Sequence, residues 1–116
     1  IHNSFKRNKT IKMAKRKITI YFLKCPLTNK VRYIGRTSCS LESRLSNHMN
    51  NNDGTIEKLN WIKRLKSKNL KPFIIPIETV SAKEAPLIEH KWIWTLKNNG
   101  IRIFNRGNSP HKHVLK

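Results

Sequence analysis

Acidic residues are scarce in this chain: six Asp and Glu stand against 25 Lys and Arg in 116 residues, a formal charge of +19. The shortage restricts the available chemistry. Hydrolytic sites that hold two metal ions, or that pair an Asp with a Glu-x-Lys motif, need at least two converging carboxylates. The six acids are Glu42, Asp53, Glu57, Glu78, Glu84 and Glu89, and most fall at expected caps, turns or exposed helix positions. Cysteine is equally sparse. Cys25 and Cys39 are too few and too unpatterned for a disulfide scaffold or a zinc site, so a reducing, cytoplasmic compartment is the expectation. No apolar run approaches the roughly 20 residues of a membrane span, and no secretory apolar region follows the basic start. Internal repeats and long low-complexity tracts are absent.

What remains is positive charge around one modest core. An excess of this size repels itself and favours a polyanion, because neutralising phosphates releases condensed counterions. A nucleic acid is therefore the expected partner, and affinity should fall steeply with salt; a membrane surface is the lesser option. Hydrophobic residues make up 37% of the chain, with three Trp and four Phe, enough for a single domain. Residues 1–16 form an expected flexible basic arm, 17–106 the folding unit and 107–116 a basic tail. Met13, or a residue before it, is the expected native start.

Along the folding unit, ITIYFLKC from Ile18 to Cys25 is β-branched and aromatic, hence a strand. Pro26 to Lys30 reads as a turn and Val31 to Gly35 as a second strand, giving an antiparallel hairpin. Ser40 can cap a helix to about Asn51, with Glu42 in its first turn. A second helix is predicted from Ile56 to Lys68 on Leu59, Ile62 and Leu65. Phe73 to Val80 is a third strand whose Pro76 requires an edge or a bulge. Ser81 and Glu84 suggest a capping box for a last helix through Lys97, although Pro86 marks an alternative start. Gly100 stops it, and Ile101 to Phe104 is expected to be extended. The fold class is mixed α/β: a small three-stranded antiparallel sheet flanked by helices.

Several residues resist explanation as packing. At about 100° per residue, Ala85, Trp92, Ile93 and Leu96 fall within roughly 60° of Glu89. A carboxylate in the middle of an apolar stripe costs several kcal/mol unless paired. Either an Arg neutralises it or it holds a hard cation such as Mg²⁺. Arg44 and His48, four apart, share a helix face that also carries Leu41. Tyr21 and Tyr33 lie on the two hairpin strands, and Gly35 permits close backbone approach. His111 and His113 lack a partner carboxylate and read as a solvated terminus.

Tyr21 in Thr19-Ile20-Tyr21, the intact Tyr33-Ile34-Gly35, Arg44-x-x-x-His48, Glu89 and Asn105 occur in the order and spacing of the GIY-YIG nuclease domain, which residues 17–106 resemble. Trp61-Ile62 and Trp92-Ile93 are similar to helices of that family. The first motif departs from the pattern by lacking its glycine. The resemblance implies a DNA endonuclease, with one Mg²⁺ or Mn²⁺ ion per site on Glu89. It implies Tyr21 as general base with His48 taking its proton, and Arg36 lowering the phenol pKa. Arg44 would clamp the scissile phosphate, Tyr33 would orient phosphate or water, and Asn105 would hold the site together. Homing, restriction, repair and transposon-associated enzymes all use such domains; a Lys-, Asn- and Ile-rich composition suits a phage or other mobile element, working in a host cytoplasm. The expected state is a monomer or homodimer. The competing reading is a non-catalytic basic nucleic-acid-binding module with Glu89 in a salt bridge; a ribosomal or RNA-structural protein is a third.

Overall fold

The computed structural model describes residues 16–51 and 54–106; the expected arm up to residue 15, the tail from 107, and His111 and His113 lie outside the described residues. Strands β1 (Lys17–Lys24) and β2 (Val31–Thr37) form the hairpin. Its turn closes through Cys25 N–H to Lys30 O at 2.9 Å and Asn29 N–H to Cys25 O at 2.7 Å. Asn29 adopts a φ of 60°, a left-handed conformation that Asn tolerates better than most residues. Helices α1 (Leu41–Asn50) and α2 (Ile56–Ser67) follow, then strand β3 (Phe73–Ser81) and helix α3 (Ala85–Asn98). The sheet order is β2-β1-β3 with both pairings antiparallel.

Because successive strand residues point to opposite faces, the central strand feeds two cores. On one face Ile20 and Ile34 pack with Ala85, Ile93 and Leu96 of α3. On the other, Tyr21, Leu23 and Cys25 pack with Trp61, Ile62 and Leu65 of α2, joined by Leu41 and Leu45 of α1. The result is α3, sheet, then α1 and α2: three layers. Ile20, Leu23 and Ile34 are fully buried, each contributing about 1.5–3 kcal/mol.

The caps follow the sequence for α1, where the Ser40 hydroxyl accepts from Ser43 N–H at 3.1 Å. Thr55 does the same for α2, accepting from Lys58 N–H. Pro76 satisfies both expectations: β3 is an edge strand, and pairing skips Ile77 between Glu78 opposite Ile20 and Pro76 opposite Tyr21. Two boundaries differ by more than one residue. Ser81 and Glu84 do bond reciprocally, at 2.8 and 3.2 Å, but they close a turn after β3, and α3 starts at Ala85 with Pro86 in its first turn. A proline there removes only an N–H that the first turn leaves unpaired. Strand β2 runs two residues past Gly35, while Ile101 to Phe104 lies outside the sheet, in keeping with an element order that ends on α3. Phe104 N–H bonds Arg32 O at 2.7 Å, but the next contacts with β2 go through the side chain of Asn105.

Candidate active site

The site is built around a tyrosine that lies over its strand neighbour. Tyr21 pairs with Gly35, and its phenol occupies the space a side chain at 35 would need: a Cβ there would overlap the phenol oxygen and Cζ. Only glycine lets the ring lie flat on β2. The fully buried phenol oxygen then meets α1, where helical spacing puts Arg44 and His48 on one face. The Tyr21 hydroxyl lies 2.6 Å from His48 Nε2, and Arg44 Nε donates to the same oxygen at 3.0 Å. Tyr33 completes the group, its ring edge-on to His48 with centroids 5.3 Å apart.

Burial dominates the electrostatics. Desolvation pushes the Tyr21 phenol up to about 12, against the opposing hydrogen bond and charge of Arg44. Burial, then the charges of Lys58 and Arg44, pull His48 down to about 3. At neutral pH, then, Tyr21 holds its proton and His48 holds no charge. With Arg44 donating to the Tyr21 oxygen, the phenol proton goes to His48 Nε2, which leaves the imidazole proton on Nδ1. Tyr21 thus has an acceptor for its proton at hydrogen-bond distance. Tyr33 is also shifted upward, by burial and by the charge of Glu89, but it keeps part of its surface at solvent.

Glu89 comes from α3, on the far layer. Burial raises its carboxyl above the ordinary range, opposed by Arg36 and Arg44. Its charge is felt at both phenols, so the two layers converge on one site. The Arg36 guanidinium stands 3.7 Å from Glu89, with the two side chains 43% and 24% exposed. That distance is an ion pair without a good hydrogen bond, and exposure weakens it. Among the described residues no three His, Cys, Asp or Glu gather as a metal cage. A lone half-buried carboxylate suits Mg²⁺ or Mn²⁺, which keep waters and accept phosphate oxygens, and does not suit a structural zinc.

Asn105 staples the C-terminal segment to β2, accepting from Ile34 N–H at 2.9 Å and donating to Ile34 O at 2.7 Å. These bonds brace the β2 backbone next to Tyr33. Two sequence readings change. Arg36 faces Glu89, and Arg44 is the cation on the Tyr21 oxygen; even so, burial outweighs it and the phenol is not acidified. Sequence reasoning also missed Lys58, 3% exposed, whose Nζ stands 4.9 Å from the centre of the Tyr33 ring. The buried stripe of α2 is Lys58, Trp61, Ile62 and Leu65, with Leu59 only half-buried. A charge on an apolar helix face, the signal that singled out Glu89, was present at Lys58 as well.

No helix among the described residues is long and apolar enough to cross a membrane. Comparison with curated proteins and with solved structures finds no match. The GIY-YIG catalytic-domain family model matches residues 17–102, a span that contains Tyr21, Tyr33, Arg44, His48 and Glu89. With the antiparallel sheet and helices that this domain requires in place around those side chains, the chain belongs to the GIY-YIG family of nuclease domains.

Proposed function

We propose that the protein is a divalent-metal-dependent DNA endonuclease that hydrolyses phosphodiester bonds, of the homing or phage and mobile-element kind. The observation that carries this reading is the short contact from the Tyr21 hydroxyl to an uncharged His48, with Arg44 on the same oxygen. Glu89 would hold one Mg²⁺ or Mn²⁺ ion, which when bound supplies Lewis-acid stabilisation of the leaving 3′ oxygen. The protein's own residues do the rest. Once substrate binding admits the attacking water to its buried oxygen, Tyr21 takes a proton from that water as it passes its own to His48 Nε2, a transfer that a phenol with this pKa cannot make without such an acceptor. Of the two tyrosines it is the base, since His48 accepts from it at 2.6 Å. Tyr33, partly open to solvent, orients water or phosphate. Arg44 carries positive charge to the scissile phosphate. Arg36 balances Glu89 before substrate arrives.

Incubation with plasmid and short duplexes, with and without Mg²⁺, reads nicks and breaks. Cleavage should require the metal. Glu89→Ala should abolish it while leaving DNA affinity in metal-free buffer within about twofold. Tyr21→Phe should cost more in rate than Tyr33→Phe, by at least tenfold if general-base catalysis is worth its usual factor of about 10² or more. The Arg36–Glu89 pair favours one competing reading, a non-catalytic DNA-binding domain; cleavage absent under every metal condition, with binding retained, is the outcome that establishes it.

A further inference from the structure

Away from the catalytic side chains, the hairpin turn, α2 and the C-terminal segment enclose a cleft of about 550 Å³. Four cations line it: Arg64 and Lys68 on the α2 wall, Arg32 and Arg102 on the opposite wall. Glu57 is the one carboxylate among the lining residues. Helix geometry accounts for half of this. Residues 57, 64 and 68 share a face of α2, and cations near a helix C-terminus are favoured by its dipole. It does not account for the facing wall. There Arg32 is fixed by its Nη1 donating to the main-chain oxygen of Arg102 at 2.8 Å, with its guanidinium 6.0 Å from the centre of the Phe104 ring. The Arg32 side chain is thus tied to the main chain at Arg102, and the two arginines, from distant parts of the chain, line one wall and face two more cations. Such a concentration raises the local potential and attracts anions. Phe104 also lines a smaller cavity of about 210 Å³ with Tyr33, Asn105 and Arg106, so a single side chain borders both the basic cleft and the space beside Tyr33.

We propose that this cleft binds backbone phosphates of the DNA next to the scissile one, and sets affinity without taking part in the chemistry. The proposal rests on DNA being the substrate of the catalytic group. Binding of a labelled duplex, measured in EDTA across a salt series, tests it independently of cleavage. Arg64→Glu with Lys68→Glu should weaken binding at least tenfold at about 0.15 M salt. It should also flatten the slope of log affinity against log salt by about 2, near 0.9 for each lost phosphate contact. The neutral pair Arg64→Gln with Lys68→Gln should follow in the same direction, which guards against misfolding of the charge-reversed protein; thermal melts verify both. A control with the same change of net charge, Lys63→Glu with Lys91→Glu, alters exposed positions that do not line the cleft and should lose less than threefold. If both charge-reversed pairs weaken binding equally, the overall charge acts and the cleft has no special role. If binding follows the proposal but no variant or parent ever cuts DNA, the cleft stands and the nuclease reading falls. Where cleavage is present, Arg64→Gln with Lys68→Gln should raise KM and leave kcat at saturation unchanged.

Discussion

Gly35 and Tyr21 are one structural unit, since the absent side chain of the first is the room occupied by the second. Gly35→Ala must displace a fully buried ring, and overpacking of this kind costs about 1–3 kcal/mol. The expected outcome is a lower melting temperature together with a larger loss of cleavage, because the displaced phenol leaves His48. A melt and a cleavage assay on the same preparation check it; unchanged activity would disconnect Tyr21 from the chemistry. His48 offers a second test at this scale. Its depressed pKa comes first from burial, then from Lys58 and Arg44. Nitrogen-detected NMR should find it neutral, with the proton on Nδ1, at pH 5, where a free imidazole is charged. Lys58→Met keeps the apolar stem and removes the charge, so the His48 titration should move to higher pH. A charged His48 at pH 5 in the parent protein would remove the proposed proton acceptor.

At the level of elements, the site depends on three pieces held in register: the hairpin, α1 and α3. The hairpin is positioned on its outer side by the Asn105 staple, which bonds the Ile34 backbone on the edge of β2 that no strand among the described residues pairs. Asn105→Ala removes both bonds and leaves the Ile34 backbone groups without these partners. The expected loss is about 1–3 kcal/mol, read by urea denaturation, with cleavage reduced more than the stability loss alone would cause at working temperature. Asn105→Asp keeps the acceptor for Ile34 N–H but sets an oxygen against Ile34 O, and should be no better than Ala. If Asn105→Ala melts like the parent, the segment is held by Phe104 and Lys97 instead, the latter donating to Asn105 O at 2.9 Å. The bulge opposite Tyr21 belongs to the same scale: Pro76 cannot donate to the ladder, and the pairing of β1 with β3 skips Ile77 beside it.

For the whole molecule, charge and proton linkage govern the response to conditions. His48 has a folded-state pKa of about 3 against an unfolded value near 6.5. Between those values the unfolded chain binds the extra proton, so stability falls as pH drops through that window, by up to about 1.4 kcal/mol per unit. Glu89 acts with the opposite sign. Its folded pKa is raised above 4.5, so its ionisation costs stability as pH rises through the folded value. Urea denaturation from pH 7 to pH 4 should therefore show an acid loss in the parent that His48→Gln reduces. Equal slopes for the two proteins would contradict a buried neutral His48.

The elements were legible because their signals are local: β-branched runs, the Ser40 cap, the apolar stripe of α3, and a proline that fits only an edge or a bulge. The candidate site residues stood out as an ordered motif, with Glu89 flagged by its place among Ala85, Trp92, Ile93 and Leu96. Partnership was not. Which cation meets the Tyr21 oxygen, whether its pKa falls or rises, and that Lys58 is enclosed beside Tyr33 all depend on where distant elements pack. Burial and through-space charge have no sequence period. Sequence thus determined which groups the protein carries and on which faces, and the tertiary structure alone decided which of them touch, because desolvation and Coulomb interactions act between neighbours in space.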